Sequence, residues 1–151
     1  MHSLTFESPI GLLTIQEQDG ALTTLRWGRW ESGEVSSLLV EAEKQVQEYL
    51  KGTRPTFDLP KNPFGSEFQL RVWQEIDQIA FGQTTSYGKL AFKLSSSPRA
   101  VGGACGRNPI PIIIPCHRII AKTGKLAGYS GGRGLETKRL LLSHETKSCF
   151  K

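Results

Sequence analysis

Cys116 and His117 stand side by side between two branched apolar runs, Ile112-Ile113-Ile114 and Ile119-Ile120. Branched side chains are stiff and pack into cores, so these runs should hold the thiol at a buried or half-buried point on a rigid frame. A cysteine is a nucleophile only as its thiolate, and nearby basic or cationic groups raise the thiolate fraction. His117 and Arg118 place such groups within two residues. The arrangement points to attack by Cys116 on an electrophile.

The remaining cysteines carry no comparable signal. Cys105 reads as a small helical core residue and Cys149 as part of a frayed tail. Three cysteines are too few, and odd in number, for a disulfide framework. There is no C-x-x-C pair, and His2, His117 and His144 are scattered, so no metal site is expected.

The chain has 151 residues and a formal charge of +5. That charge is split. Residues 1–60 hold 5 Lys and Arg against 9 Asp and Glu, and residues 61–151 hold 14 against 5. A basic half beside an acidic one suggests that one lobe meets a polyanion, although basic residues also serve simply to solvate a surface. No apolar run reaches membrane-spanning length, and Phe6-Glu7-Ser8-Pro9 interrupts any leader-like segment. A cytoplasmic protein with no membrane partner is expected, and a monomer.

The elements that must position Cys116 can be read from periodicity. Residues 3–27 read as strands, with Ser8-Pro9-Ile10-Gly11 and Asp19-Gly20 as turns. Val35, Leu38, Leu39, Ala42, Val46 and Tyr49 define one face of a helix over 35–50, and Gly52 suits its C-terminal cap. Pro55, Pro60, Pro63 and Gly65 mark a linker where the charge changes sign. We place a boundary near residue 60, giving an N-terminal α/β domain (1–60) and a C-terminal domain (61–151). In the second half, Ser66 to Gln69 fits a capping box, and Phe68, Val72, Trp73, Ile76 and Ile79 form a helix face that Gly82 would close. A short helix over Tyr87 to Leu94 follows. Ser97 caps the next, with Pro98 at its first position and Arg99 in its first turn. The pair resembles a helix-turn-helix, a weak signal by itself. The fold class expected is α+β: a small antiparallel sheet plus helix, then a mostly helical, winged-helix-like domain.

Ala100, Gly102, Gly103 and Ala104 give the second helix a small face, although each glycine costs roughly 1 kcal/mol in a helix interior. Close packing against another helix or close approach to a phosphate backbone would each justify it. Arg99 is open to three roles: phosphate clamp, salt-bridge partner, or a side chain inserted into a duplex. Asn108-Pro109-Ile110-Pro111 should run extended toward Cys116. Lys122-Thr123-Gly124-Lys125 reads as a basic turn. Gly128-Tyr129-Ser130-Gly131-Gly132 reads as a substrate lid, and a last helix runs from about Leu135 through Leu142, ending near His144-Glu145.

Taken together, Arg99-Ala100-Val101-Gly102-Gly103-Ala104, Asn108 to Pro111, Pro115 to Arg118, Gly128 to Gly132 and Leu141 to Glu145 resemble the O6-alkylguanine-DNA alkyltransferases. The likeness spans roughly residues 65–145, in the family's order. It implies a direct-reversal repair protein that flips the damaged guanine from double-stranded DNA and moves its alkyl group irreversibly to a cysteine, without a cofactor. By position, Cys116 is the acceptor, His117 its base through a water, and Glu145 the residue that orients His117. Asn108 shapes the turn that holds the site, and Tyr87 steadies the flipped nucleotide and helps protonate the leaving base. Arg99 matches the finger that fills the vacated stack, on a DNA-binding helix that includes Ala100, Gly102, Gly103 and Ala104. Tyr129 and Ser130 match the lid over the guanine. Lys138 and Ile119 complete the substrate-binding set.

Elementary chemistry agrees with this resemblance. An alkyl ether carbon is a poor electrophile and needs a strongly nucleophilic thiolate. A stacked base is out of reach until it is extruded, which costs a few kcal/mol. Three other readings are weaker. A non-catalytic alkylguanine-binding relative would lack the cysteine. A Cys-His hydrolase would need both side chains on one face and an oxyanion loop. A plain helix-turn-helix module would leave Cys116 as packing.

Overall fold

The computed structural model describes residues 2–31, 33–123, 129 and 131–148. Three strands, β1 (His2–Ser8), β2 (Gly11–Gln18) and β3 (Ala21–Trp27), form an antiparallel sheet in chain order. Asp19 and Gly20 both have positive φ (52° and 80°), the pattern that matches a two-residue turn to strand twist. Helix α1 (Ser37–Leu50) packs on this sheet through Leu39, Ala42, Val46 and Tyr49, all buried. It starts two residues later than its apolar pattern suggests. The Ser36 side chain accepts from the Leu39 amide at 3.2 Å and caps the helix there. Val35 falls outside and is 53% exposed.

Both free edges of the sheet take hydrogen bonds from other segments, which satisfies some of their unpaired strand groups. On β1, the Ser3 amide donates to Glu34 O at 3.0 Å. On β3, the Leu22 amide donates to Pro60 O (2.9 Å), Asn62 donates back to Leu22 O (2.8 Å), and the Leu25 amide donates to Pro109 O (2.9 Å). The proline-rich segment is therefore laid along β3, and the approach to Cys116 is hydrogen-bonded to the same strand.

Helix α2 (Glu67–Ile76) has the expected capping box. Ser66 Oγ accepts from the Gln69 amide, and Gln69 Oε1 accepts from the Ser66 amide. Its Trp73 indole donates to Ala104 O at 2.8 Å. The helix ends at Ile76, before Ile79, and Gly82 does not close it. Gly82 instead turns the chain (φ 79°) so that its amide points at Glu145. Helices α3 (Tyr87–Lys93) and α4 (Pro98–Gly106) pack as the expected helix-turn-helix, with Ser95 at φ 53° between them. Strand β4 (Thr85–Ser86) pairs in parallel with β5 (Ile119–Ile120). Helix α5 (Leu135–Lys147) ends two residues beyond the expected stop near His144-Glu145, and its buried face is Thr137, Lys138, Leu141 and Glu145. The chain is thus an α+β protein. Of the expected basic turn, Gly124 and Lys125 lie outside the described residues, as do Gly128, Ser130 and Cys149.

The start of α4 rests on Ser97, whose side chain accepts from the Ala100 amide at 3.1 Å, with Pro98 at the first helical position. Ser97→Ala should lower unfolding stability by about 1 kcal/mol, read as a lower urea midpoint at unchanged slope.

Candidate active site

The segment before Cys116 is a closed turn and not the extended run that its prolines suggested. Asn108 builds it. The Asn108 side-chain oxygen accepts from the Ile110 amide (3.0 Å), and its side-chain amide donates to Ile114 O (2.8 Å). Ile112 is held at φ 74°, an unfavourable conformation for a branched residue that the surrounding contacts must impose. The Cys116 amide then bonds Ile114 O at 2.8 Å, and Cys116–Arg118 form one 3-10 turn. Cys116 and His117 are therefore not alternating residues of a strand, and both are buried.

His117 and Arg118 converge on Glu145 from α5. His117 Nε2 lies 2.7 Å from Glu145 Oε2. Arg118 donates to both carboxylate oxygens at 2.9–3.1 Å, and to Ile79 O at 2.6 Å. Gly82 N donates to Oε1 at 3.0 Å, and the Tyr49 hydroxyl donates to Oε2 at 2.6 Å. Burial by itself would raise the Glu145 carboxyl, but hydrogen bonds from His117 and Arg118 outweigh it and hold the group well below the usual carboxylate range. With Nε2 facing a carboxylate, His117 carries its proton there when neutral, which leaves Nδ1 as the acceptor. Nδ1 has no hydrogen-bond partner among the described residues.

Sequence reading made Arg118 an activator of the thiol. Its guanidinium is instead committed to Glu145, and the cation that acts on Cys116 is Lys138. Burial pushes the Cys116 thiol up, while the Asn108 amide and Lys138 pull it down without winning. Burial also lowers His117, against the opposing pull of Glu145. Both shifts favour a neutral thiol beside a neutral imidazole. Tyr87 is pushed up to about 12 by burial and by the two cysteines, Cys105 and Cys116, so it stays a phenol. Lys138 Nζ donates to the Tyr87 hydroxyl at 3.3 Å.

A cavity of about 470 Å³ opens onto Cys116, lined also by Asn108, Tyr129 and, from the sheet side, Trp27 and Trp30. Trp27 was not singled out from the sequence. Its ring meets Tyr129 edge-to-face at 6.3 Å, and a Cβ on Gly131 would come within 2.5 Å of it. Only glycine lets the chain after Tyr129 lie this close to the indole. A large aromatic at the end of β3 and a glycine pair far along the chain are separate marks in a sequence, with nothing to pair them. Ile119 is buried in β5 and does not line this cavity.

On the other side of α4, Arg99, Ala100 and Gly103 are exposed. Gly102 is half-buried, and a Cβ there would sit at ordinary contact distance from the Tyr87 ring. Ala104 is buried on the packed side. Among the described residues, no group of His, Cys, Asp and Glu is arranged to hold a metal.

A helix-turn-helix carrying an exposed arginine, backed by a buried Cys-His-Glu cluster, defines a class: DNA-binding proteins with a nucleophilic thiol. Residues 67–147 match the family model of the 6-O-methylguanine DNA methyltransferase DNA-binding domain. The chain is 41% identical to a methylated-DNA–protein-cysteine methyltransferase of Mycolicibacterium paratuberculosis, over 95% of this chain and 91% of that one. It is 39% identical to the constitutive enzyme of that name from Bacillus subtilis, over 93% of each chain. The crystal structure of Mycobacterium tuberculosis OGT in complex with DNA superposes with a TM-score of 0.88 at 40% identity, covering 97% of this chain and 93% of that one. The chain belongs to the methylated-DNA–protein-cysteine methyltransferase family.

The charge cluster makes stability depend on pH. His117 is held below its ordinary 6.5, so the unfolded chain takes up that proton first as the pH falls through 6.5. Glu145 is held below its ordinary 4.5 and adds a second loss below that value. Both contributions are present at neutral pH and lost on acidification. The denaturant midpoint should fall from pH 7 downward and more steeply below 4.5. A midpoint flat across that range would contradict the assigned protonation states.

Proposed function

We infer that this protein repairs O6-alkylguanine in double-stranded DNA by direct reversal, moving the alkyl group to its own Cys116 in a single irreversible turnover. The observation that carries the reading is the placement of Cys116. It opens onto a cavity while its neighbour His117 is locked to a buried, ionised Glu145, directly behind a helix-turn-helix.

The ligand-free pair rests as thiol and imidazole, so the nucleophile is made when it is used. His117 Nδ1 takes the thiol proton through a water, and the Glu145 carboxylate stabilises the resulting imidazolium. The sulfur attacks the alkyl carbon. The carbon–sulfur bond forms as the carbon–oxygen bond breaks, and the bond's electron pair passes into guanine. Tyr87 gives its proton to the leaving base, and Lys138, within hydrogen-bond reach of that hydroxyl, stabilises the phenolate left behind. Asn108 holds the turn and favours the ionised sulfur. Tyr129 and Ser130 cover the guanine, with Trp27 backing Tyr129.

Arg99, Ala100, Gly102 and Gly103 form the face that meets DNA. The small residues let the backbone approach the duplex, and Arg99 fills the gap left by the extruded base. The basic residues of 61–151 supply phosphate contacts that carry no sequence information. A division near residue 60 is supported by the family match beginning at residue 67. No helix of the described residues is long and apolar enough to cross a membrane. A cytoplasmic monomer is the state we propose.

Mass spectrometry of the intact protein after incubation with O6-methylguanine DNA tests the transfer. One methyl should appear on the Cys116 peptide and none on Cys105 or Cys149, and Cys116→Ser should bind DNA but gain nothing. Transfer persisting in that variant would remove Cys116 from the acceptor role.

The finger role of Arg99 makes a separate expectation. Arg99→Ala should slow repair of a lesion within a duplex and leave reaction with free O6-benzylguanine nearly unchanged, because no stack has to be opened. A phosphate contact alone would instead flatten the salt dependence of DNA binding by about one unit. Equal slowing on duplex and free base would place the arginine in the chemistry or the fold.

A further inference from the structure

Tyr49 comes from α1 in the N-terminal half, yet its hydroxyl ends in the catalytic cluster. It is fully buried, donates to Glu145 Oε2 at 2.6 Å, and lies 3.4 Å from His117 Nε2. Oε2 is crowded. Besides the phenol it faces His117 Nε2 at 2.7 Å and Arg118 at 2.9 and 3.1 Å. One carboxylate oxygen offers about two lone-pair sites, so these donors share it. The shortest contact belongs to the tyrosine, not to the histidine that the reaction uses.

We propose that Tyr49 is a positioning residue for alkyl transfer: its phenol competes with the His117 N–H for Glu145 Oε2, and so limits how strongly His117 draws the thiol proton. The proposal rests on the direct-reversal reading. It gives the N-terminal half a part in the chemistry through one hydroxyl group.

The groups facing this hydrogen bond come from several elements. His117 and Arg118 lie on the 3-10 turn and Glu145 on α5. The Gly82 amide and the Phe81 ring come from the segment after α2. His144 packs on the Tyr49 ring at 5.2 Å, and its Nε2 lies 2.6 Å from Tyr49 O. Lys138 acts through space on His117, Lys138 and Cys116 act on each other, and Tyr129 acts on Tyr49. Burial and the Glu145 charge hold the Tyr49 phenol far above its ordinary range, so it remains a donor at every working pH. Removing its hydroxyl leaves more of the carboxylate charge to the imidazole, which becomes more basic.

The test is single-turnover transfer from free O6-benzylguanine across the acid and neutral range, in wild type and Tyr49→Phe. The free base removes DNA binding from the measurement. The acid limb should move up by about one pH unit, which is roughly tenfold slower transfer below the limb. The His117 ring, titrated by NMR in each protein, should move in the same direction. Site-specific 3-fluorotyrosine at position 49 keeps the hydroxyl and makes it a stronger donor, so the limb should move down. This arm decides the matter even where the phenylalanine variant folds poorly. The upward shift should persist in a His144→Gln background, and its loss there would assign the effect to His144 and overturn the proposal. A limb unchanged or lowered by Tyr49→Phe, or unmoved by fluorination, also overturns it while direct reversal stands. Wild type that transfers no benzyl group overturns both.

Discussion

The buried carboxylate of Glu145 is the interaction on which the rest of the structure depends. It collects hydrogen bonds from α1, from the turn after α2, from the 3-10 turn that carries the thiol, and it sits on α5. Four segments distant in sequence are thereby fixed to one anion. Ionised groups leave water at a cost, and breaking such a pair by removing one partner typically costs about 3–5 kcal/mol. Arg118 supplies the compensating charge and satisfies a further carbonyl at Ile79. The cluster therefore locks the frame around Cys116 and also sets the protonation state of the histidine beside it.

That protonation state bears on selectivity. A thiolate exposed at rest would react with many electrophiles. Here burial keeps the sulfur protonated and the imidazole neutral, and the opposing influences of Asn108 and Lys138 are close at hand but insufficient. In the proposed mechanism, reactivity is thereby reserved for a substrate that completes the pocket. Burial also keeps Tyr87 a phenol, so the proposed proton acceptor and proton donor share one low-dielectric site.

The two halves of the chain share the work. The helix-turn-helix is the surface proposed to meet DNA, the sheet contributes one wall of the cavity through Trp27 and Trp30, and α1 contributes Tyr49. The close seat of Gly131 against Trp27 sets where the chain following Tyr129 can lie. The covered edge of β3 ties the approach to Cys116 to that wall, through Leu25 and Pro109.

Much of this was legible in the sequence, because local rules governed it. Alternation and the Asp19-Gly20 turn indicated the hairpin. Ser66 and Ser97 marked helix starts by their own hydrogen-bonding, and the Cys116-His117 pair was picked out as a candidate by type and adjacency. The resemblance supplied the partnership of His117 with Glu145, which no local pattern contains. Other features depended on tertiary contact. Gly82 looked like a helix stop, yet its amide is spent on Glu145. Asn108 to Pro111 looked extended, yet the Asn108 side chain closes the segment into a turn. Arg118 looked like the activating cation, yet Glu145 holds it and leaves Lys138 to act on the sulfur. Tyr49 fitted the apolar face of α1 and served there as packing alone. Its hydroxyl acquires a role only when the fold brings a carboxylate 96 positions away to within 2.6 Å. Periodicity reports which face of an element is buried. Which polar atom meets which across the core is decided by the three-dimensional path of the whole chain.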